Sequence, residues 1–211
     1  MIGASWLFGG IAEDVLTGDP LTVIDVRVAA WFHDHATPVF TQCMRVITNL
    51  HGPTAVSILM AVAVLYLVWQ RDWYWLICLL VTVPSGMLLN VLMKYAFHRA
   101  RPSFDNPLLA LSTYSFPSGH VAGTTLFYGV MAAMLVSKID AWRARVIIVA
   151  TAIALIMLVA LSRVYLGVHY LSDVLGGFAE AIAWLTLCLL GIHTYWQHHT
   201  AGQTLTSRKR P

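Results

Sequence analysis

Three short stretches of this sequence hold the residues able to do chemistry. The most telling is Ser162-Arg163-Val164-Tyr165-Leu166-Gly167-Val168-His169-Tyr170-Leu171-Ser172-Asp173. His169 and Asp173 are four residues apart and share one face of a helical turn. A carboxylate on one imidazole nitrogen fixes the tautomer and leaves the other nitrogen as a nucleophile. Arg163 adds a planar guanidinium suited to two phosphate oxygens. The second stretch, Phe116-Pro117-Ser118-Gly119-His120, stands immediately before an apolar run. Proline fits a first helical turn, and glycine lets a ligand approach the backbone. Free amides and the helix dipole then favour an anion, Ser118 adds a hydroxyl donor, and His120 exchanges protons near pH 7. The third stretch places Lys94 and Arg101, followed by Pro102, seven residues apart. That spacing is close to two helical turns, so the two cations share a face if the helix continues. Taken alone, basic residues at the end of an apolar run simply snorkel to a membrane interface. The joint occurrence carries the weight.

These stretches sit between apolar runs. Hydrophobic residues make up 58% of the 211 and charged residues only 11%, too little charge for a water-soluble surface. Five runs stand out: Thr54–Trp69, Trp73–Met93, Ser118–Val136, Val146–Leu161 and Val174–Trp196. A spanning helix needs about 20 residues, so the first and fourth, at the short end, either borrow a flanking residue or thin the bilayer locally. Trp69, Trp73, Trp75, Trp142 and Trp196 fall at run ends, as in an interfacial aromatic belt. Met1–Ala12 is apolar but too short to span, and Glu13 and Asp14 follow it. It reads as the tail of a spanning helix whose beginning is missing, or as an interfacial segment. Ile24–Leu50 mixes apolar residues with Asp25, Arg27, His33, Asp34 and Arg45, the pattern of amphipathic helices that lie on the membrane or cap the bundle. The expected fold is an all-α polytopic transmembrane bundle: five spans plus an N-terminal stub or truncated sixth, with amphipathic helices on the non-cytoplasmic face. As one domain over 1–211, it divides into 1–53 (stub and amphipathic segment), 54–196 (catalytic bundle) and 197–211 (cytoplasmic tail).

Arg71, Lys138, Arg143 and Arg145 lie in two short loops, and Arg208, Lys209 and Arg210 in the tail join them. The positive-inside rule makes that side cytoplasmic. All three motifs then fall on the opposite side, with most of the acids, including Glu13, Asp14, Asp19, Asp25, Asp34, Asp105 and Asp173. The basic residues form no stripe of the kind nucleic-acid binding requires. Cys43, Cys78 and Cys188 are scattered and read as buried free thiols.

The combined pattern K-x6-RP, PSGH and SR-x5-H-x3-D resembles the signature of the type 2 phosphatidic acid phosphatase family, which includes vanadium haloperoxidases and glucose-6-phosphatase. All motif positions match in family order, and the layout of residues 54–195 corresponds. The resemblance implies that Lys94, Arg101 and Arg163 hold phosphoryl oxygens, with the Ser118 hydroxyl and Gly119 amide. It implies that His169 attacks phosphorus, that Asp173 orients it, and that His120 protonates the leaving oxygen and then activates water. Three fixed cations do for a phosphoryl group what a magnesium ion does elsewhere. The sequence has no carboxylate cluster to hold such a metal, so no cofactor is expected. The expectation is therefore a lipid phosphate or diphosphate phosphatase in a bacterial inner (plasma) membrane, its site on the non-cytoplasmic face. Undecaprenyl diphosphate, phosphatidate and phosphatidylglycerol phosphate are all substrates of the family, and the externally facing motifs incline the expectation to the first, a carrier such a site meets during bacterial wall synthesis. A lipid phosphotransferase would use the same phosphohistidine, and a lipid-binding or transport protein could keep the cradle for recognition alone.

Several residues are set aside at this stage. His33 and His35 lack a third ligand, and His51 is alone. His193, His198 and His199 read as a solvated tail. His98 and Arg99 occupy unspecified positions of the first motif and read as interfacial. Gly176-Gly177 reads as close helix packing. Glu180, inside the last apolar run, needs a partner, and a cation is the expected one.

Overall fold

The computed structural model describes residues 1–18, 20–109 and 111–207, with side chains to residue 198 (that of residue 20 apart). Asp19, Arg208, Lys209, Arg210 and the His199 side chain, all invoked above, lie outside the described residues. The described chain is helical and contains no strand. In order the elements are α1 Ile2–Thr17, α2 Pro20–Asp34, α3 Pro38–Leu50, α4 Pro53–Trp69, α5 Trp73–Phe97, α6 Gly119–Lys138, α7 Trp142–Tyr165 and α8 Leu171–Ser207.

Local chemistry sets most of the boundaries. Pro38 and Pro53 open α3 and α4, where a missing N–H is harmless. Gly18, at φ 81°, ends α1 in the left-handed conformation that glycine adopts at no steric penalty. Asp72 caps α5 through the Trp75 amide. Four helices, α5, α6, α7 and the Leu171–His198 part of α8, are long and apolar enough to cross a bilayer. The fourth run borrows from its flanks: α7 has 24 residues, because Arg143, Arg145, Ser162 and Arg163 continue the helix past the uncharged stretch. Similarly α5 extends to Phe97, and α8 continues through the segment assigned to a separate tail. α4 alone is short at 17 residues. It joins α3 at a 43° bend, and the pair together passes as one broken span. The fold is thus an all-α bundle integral to a membrane.

α6 is the centre of the bundle, packed by α5, α7 and α8. Leu67, Leu79, Leu126, Val130 and Leu185 form the main core among α4, α5, α6 and α8. A second layer of Val121, Ile156, Val164 and Val174 ties α7 to α6 and α8. Only 17% of the apolar window of α7 is buried, so the rest of that helix faces lipid. The N-terminal stub is a helix that continues through Glu13 and Asp14 and packs along α8. There Phe8 stacks on Phe116, the residue that leads into the second motif, at 5.8 Å. α3 is pinned to α7 by Tyr165, whose hydroxyl pairs with Thr41 Oγ1 at 3.0 Å and accepts from the Thr37 amide at 3.1 Å. The three cysteines are free, but Cys43 is exposed and Cys188 only half-buried, contrary to the expectation of buried thiols.

The two ends of the bundle differ in character. One gathers the α3–α4 bend, the end of α5, the starts of α6 and α8, and the end of α7. The other carries Arg71, Lys138, Arg143 and Arg145, and there Lys138 pairs with Asp72 across two loops.

Candidate active site

Each motif reaches the same place by a different device. α8 starts at Leu171, so His169 sits in the preceding turn and not on the helix itself. The four-residue spacing still brings the pair together, with His169 Nδ1 3.4 Å from Asp173 Oδ2. Asp173 also accepts from the Tyr170 amide at 2.8 Å, one half of a capping box that fixes the turn against the helix. Ser115 Oγ donates to the same carboxylate oxygen. His169 Nδ1 therefore carries the proton, and Nε2 carries the lone pair. Both side chains are buried, His169 at 2% and Asp173 at 0% exposure. Burial is the largest influence on the His169 imidazole and, with Arg163 and Arg101 adding and Asp173 opposing, pushes its pKa down to about 3. The ring is neutral at physiological pH, as a nucleophile must be.

Ser118 is the N-cap of α6, with Pro117 just outside the helix and Gly119 in its first position. The Ser118 amide donates to the Asp173 carbonyl at 2.9 Å, which locks the second motif onto the third. Gly177 lies one turn further along α8. A Cβ there would come within 2.6 Å of the Ser118 carbonyl oxygen and 3.1 Å of its nitrogen. Gly176-Gly177 is a place of close packing, as expected: Gly176 admits the Phe116 ring and Gly177 the Ser118 backbone. Gly177→Ala is expected to lower kcat/KM by about a hundredfold, the scale of an ångström-sized misplacement of reacting groups. Gly191→Ala, where a Cβ meets nothing within 4 Å, should leave turnover unchanged; equal activity of the two variants would remove the argument.

The first motif departs from its predicted geometry. α5 ends at Phe97, and His98 adopts φ 47°, so Lys94 and Arg101 do not share a helix face. They converge instead on one carbonyl: Lys94 Nζ donates to Tyr114 O at 2.9 Å, and Arg101 Nη2 donates to it at 3.2 Å. Arg101 also donates from Nε to Thr113 O at 2.6 Å, and its Nη1 lies 3.2 Å from His169 Nε2. Arg163, at the end of α7, is only 1% exposed. Its Nη1 donates to Thr48 Oγ1 of α3 at 2.6 Å, but Nε and Nη2 find no partner among the described residues. Ser118 Oγ is likewise buried without one. Lys94, Arg101, Gly119, His120, Arg163 and His169 all line one cavity of about 530 Å³. An adjoining apolar cavity of about 280 Å³ runs from His120 and Gly119 between α4 and α5, past Val56, Met60 and Met87.

Three residues set aside from the sequence, Arg99, His51 and Glu180, and one that it did not single out, Thr48, have places in or beside this site. Arg99 is not interfacial: its side chain is 12% exposed, and it donates to Asp173 Oδ1 at 2.5 Å and to Asp25 Oδ2 at 2.7 Å. Only its alternation with Arg101 in a non-helical segment could have hinted at this. His51 lines the apolar cavity beside His120. Thr48 braces Arg163, with no sequence signal beyond an amphipathic helix. Glu180 has Asn90 as its hydrogen-bond partner, at 2.9 Å, where a cation was expected. His33 stacks on Phe104 at 4.2 Å, and His35 bonds the Trp31 carbonyl, each a local contact.

This is a polytopic α-helical membrane protein with a buried, cationic pocket that also holds a histidine–carboxylate pair, a lining whose chemistry suits an oxyanion. The PAP2 superfamily profile matches residues 75–197, and this chain belongs to that family. Over 114 residues it is 42% identical to phosphatidylglycerophosphatase B of Bacillus subtilis, covering 53% of this chain and 54% of that protein. It is also 36% identical, over 114 residues, to lipid A 1-phosphatase of Rhizobium johnstonii, covering 50% and 42% of the two chains. The chain thus spans about half the length of the curated relatives it matches. The crystal structure of a transmembrane PAP2 type phosphatidylglycerolphosphate phosphatase from Bacillus subtilis superposes with a TM-score of 0.80 at 28% identity, over 93% of this chain and 96% of that one. Aquifex aeolicus LpxE, at 20% identity and a TM-score of 0.63, covers 79% of this chain and 94% of its own, and shares the fold.

Proposed function

We propose that this chain is a membrane lipid phosphate phosphatase that works through a phosphohistidine on His169, with its charge stabilisation supplied by side chains and not by a metal ion. The observation that carries the reading is the set of buried, unpartnered donors beside the nucleophile, Arg163 Nε and Nη2 and Ser118 Oγ. A buried donor without a partner is destabilising, and a phosphate oxygen is the acceptor those groups fit. In the first step the His169 Nε2 lone pair attacks phosphorus, and the bond to the ester oxygen breaks. The electron pair leaves on that oxygen, which takes a proton from His120. Asp173 holds the Nδ1 proton while positive charge develops on the ring. In the second step water attacks phosphorus, the P–N bond breaks back to His169, and His120 receives the water's proton. Arg101, now bonded to Nε2, would transfer its donor to the phosphoryl oxygens as the lone pair is used. Lys94 and Arg163 complete the cradle.

The relatives' names favour a glycerophospholipid phosphate such as phosphatidylglycerol phosphate over the undecaprenyl diphosphate toward which the externally facing motifs incline. The basic loops at the far end support a site on the non-cytoplasmic face, and the bacterial relatives support an inner (plasma) membrane. We read 1–211 as one phosphatase domain built on the 54–196 bundle. The test is release of inorganic phosphate by the purified protein in detergent with EDTA, from phosphatidylglycerol phosphate, phosphatidate and undecaprenyl diphosphate. Release that persists with EDTA, fastest on the first lipid, is expected. Silence on all three would remove the phosphatase reading, and transfer to a second lipid without free phosphate would replace it with a phosphotransferase.

A further inference from the structure

We propose that Asp25, on α2, is a positioning residue for the His169–Asp173 pair and acts through Arg99. Asp25 lies outside the 75–197 family match, and none of the three motifs requires it. Its carboxylate is 0% exposed on the inner face of an amphipathic helix, and a buried carboxylate needs partners there. The Arg99 fork spans two carboxylates: Nη1 reaches Asp173 Oδ1 at 2.5 Å, and Nη2 reaches Asp25 Oδ2 at 2.7 Å. Ser172 closes the other side. Its amide donates to Asp25 Oδ1 at 2.9 Å, its hydroxyl donates to Asp25 Oδ2, and Arg99 Nη1 lies 2.6 Å from that hydroxyl. The Arg99 guanidinium also stacks over the Tyr170 ring at 4.6 Å, in the turn that carries His169. Arg99, the side chain bonded to Asp173 Oδ1, is therefore itself held by Asp25, directly and through Ser172.

The charge count gives the cluster a chemical role beyond bracing. Two buried carboxylates share one guanidinium, which leaves the Asp25–Arg99–Asp173 cluster with one net negative charge on the Nδ1 side of His169, opposite Arg101 on the Nε2 side. That charge stabilises the imidazole as it becomes cationic on bonding phosphorus. Without the Asp25 charge, Arg99 is committed to Asp173 alone, and the acid that faces His169 is the more neutralised. Among the described residues Arg163 and Lys94 bond elsewhere, and Ser118 meets the cluster only through its amide on the Asp173 carbonyl, which leaves its hydroxyl free for phosphate.

This inference rests on the phosphatase reading above. Its test is Asp25→Asn, which keeps the shape and removes the charge, assayed for kcat, KM, inhibition by inorganic phosphate and melting temperature in detergent. The expected result is a kcat lower by about tenfold to a hundredfold, the range seen when outer partners of metal-ligating histidines are altered. KM and phosphate inhibition are expected within about twofold of the parent, with Asp25→Glu nearer to the parent in kcat than Asp25→Asn. If Asp25→Asn does not fold, the same split is sought in Arg99→Lys, which keeps a cation and loses the fork. An active parent with an unchanged kcat in the variant overturns the inference and leaves the phosphatase reading standing. So does a loss of kcat, KM and melting temperature together, the mark of a brace alone. A parent that releases no phosphate overturns both.

Discussion

His169→Ala is expected to abolish phosphate release, lowering kcat by about four orders of magnitude or more, while inorganic phosphate still binds. The nucleophile and its proton partners act as a unit, so loss of the attacking atom removes nearly all that the unit contributes. What remains is the cradle, because Lys94, Arg163 and Ser118 do not depend on the imidazole for their positions. With a radiolabelled lipid the parent is expected to yield an acid-labile phosphoprotein and the variant none. Retained turnover in the variant would move the nucleophile elsewhere; lost phosphate binding would make His169 part of the cradle.

The same substitution has a signature in stability. The folded-state pKa of His169 is depressed to about 3, while the unfolded imidazole titrates near about 6.5. Between those values the unfolded chain binds a proton that the native chain does not. Native stability therefore falls as pH drops from about 6.5 toward 3, by about 1.4 kcal/mol per unit for this one group. His169→Ala removes that contribution. Its acid unfolding is expected to be shallower than the parent's across this window, and parallel curves would show that the ring is not held neutral by burial.

The legible part of this molecule was its chemistry and its membrane runs; the illegible part was what holds the chemistry in place. Lys94, Arg101, Ser118, Gly119, His120, Arg163, His169 and Asp173 could be picked out because residue type and spacing are themselves the signal. All of them gather within one end of the bundle. Helix ends were less visible, for a physical reason. Hydropathy sees where charge begins, whereas a helix ends where backbone bonding stops, so α7 carries Arg143, Arg145 and Arg163 within its 24 residues. The same confusion put Lys94 and Arg101 on one helix face, when the left-handed His98 breaks α5 between them. Thr48 and Asp25 were unreadable because they lie far away in sequence, 115 residues from Arg163 and 147 from Ser172. Nothing local in an amphipathic segment announces which distant side chain it will meet.

Arg163→Met is expected to cost about a thousandfold in kcat/KM while leaving the melting temperature of the ligand-free protein unchanged or higher. Loss of a single oxyanion donor typically lowers kcat by about a hundred- to a thousandfold, and Arg163 offers two, Nε and Nη2, that no described residue accepts from. Those unused donors are also a liability. A guanidinium that is 99% buried is withdrawn from bulk water, and among the described residues Thr48 returns one hydrogen bond. An apolar side chain of similar length fills the same space without that penalty, and such replacements of buried charge are often neutral or stabilising. The site would then be held against the preference of the fold, the usual relation between function and stability. Inorganic phosphate separates this from a simple packing effect. At about a hundredfold over its dissociation constant it should raise the parent's stability by about 2.7 kcal/mol, and it should not move the variant. Arg163→Lys, which keeps the charge but not the planar fork, is expected to fall between the two in turnover. A variant with methionine that melts well below the parent would show instead that Arg163 is a structural brace between α7 and α3, and the cradle would have to be sought around Lys94 and Arg101.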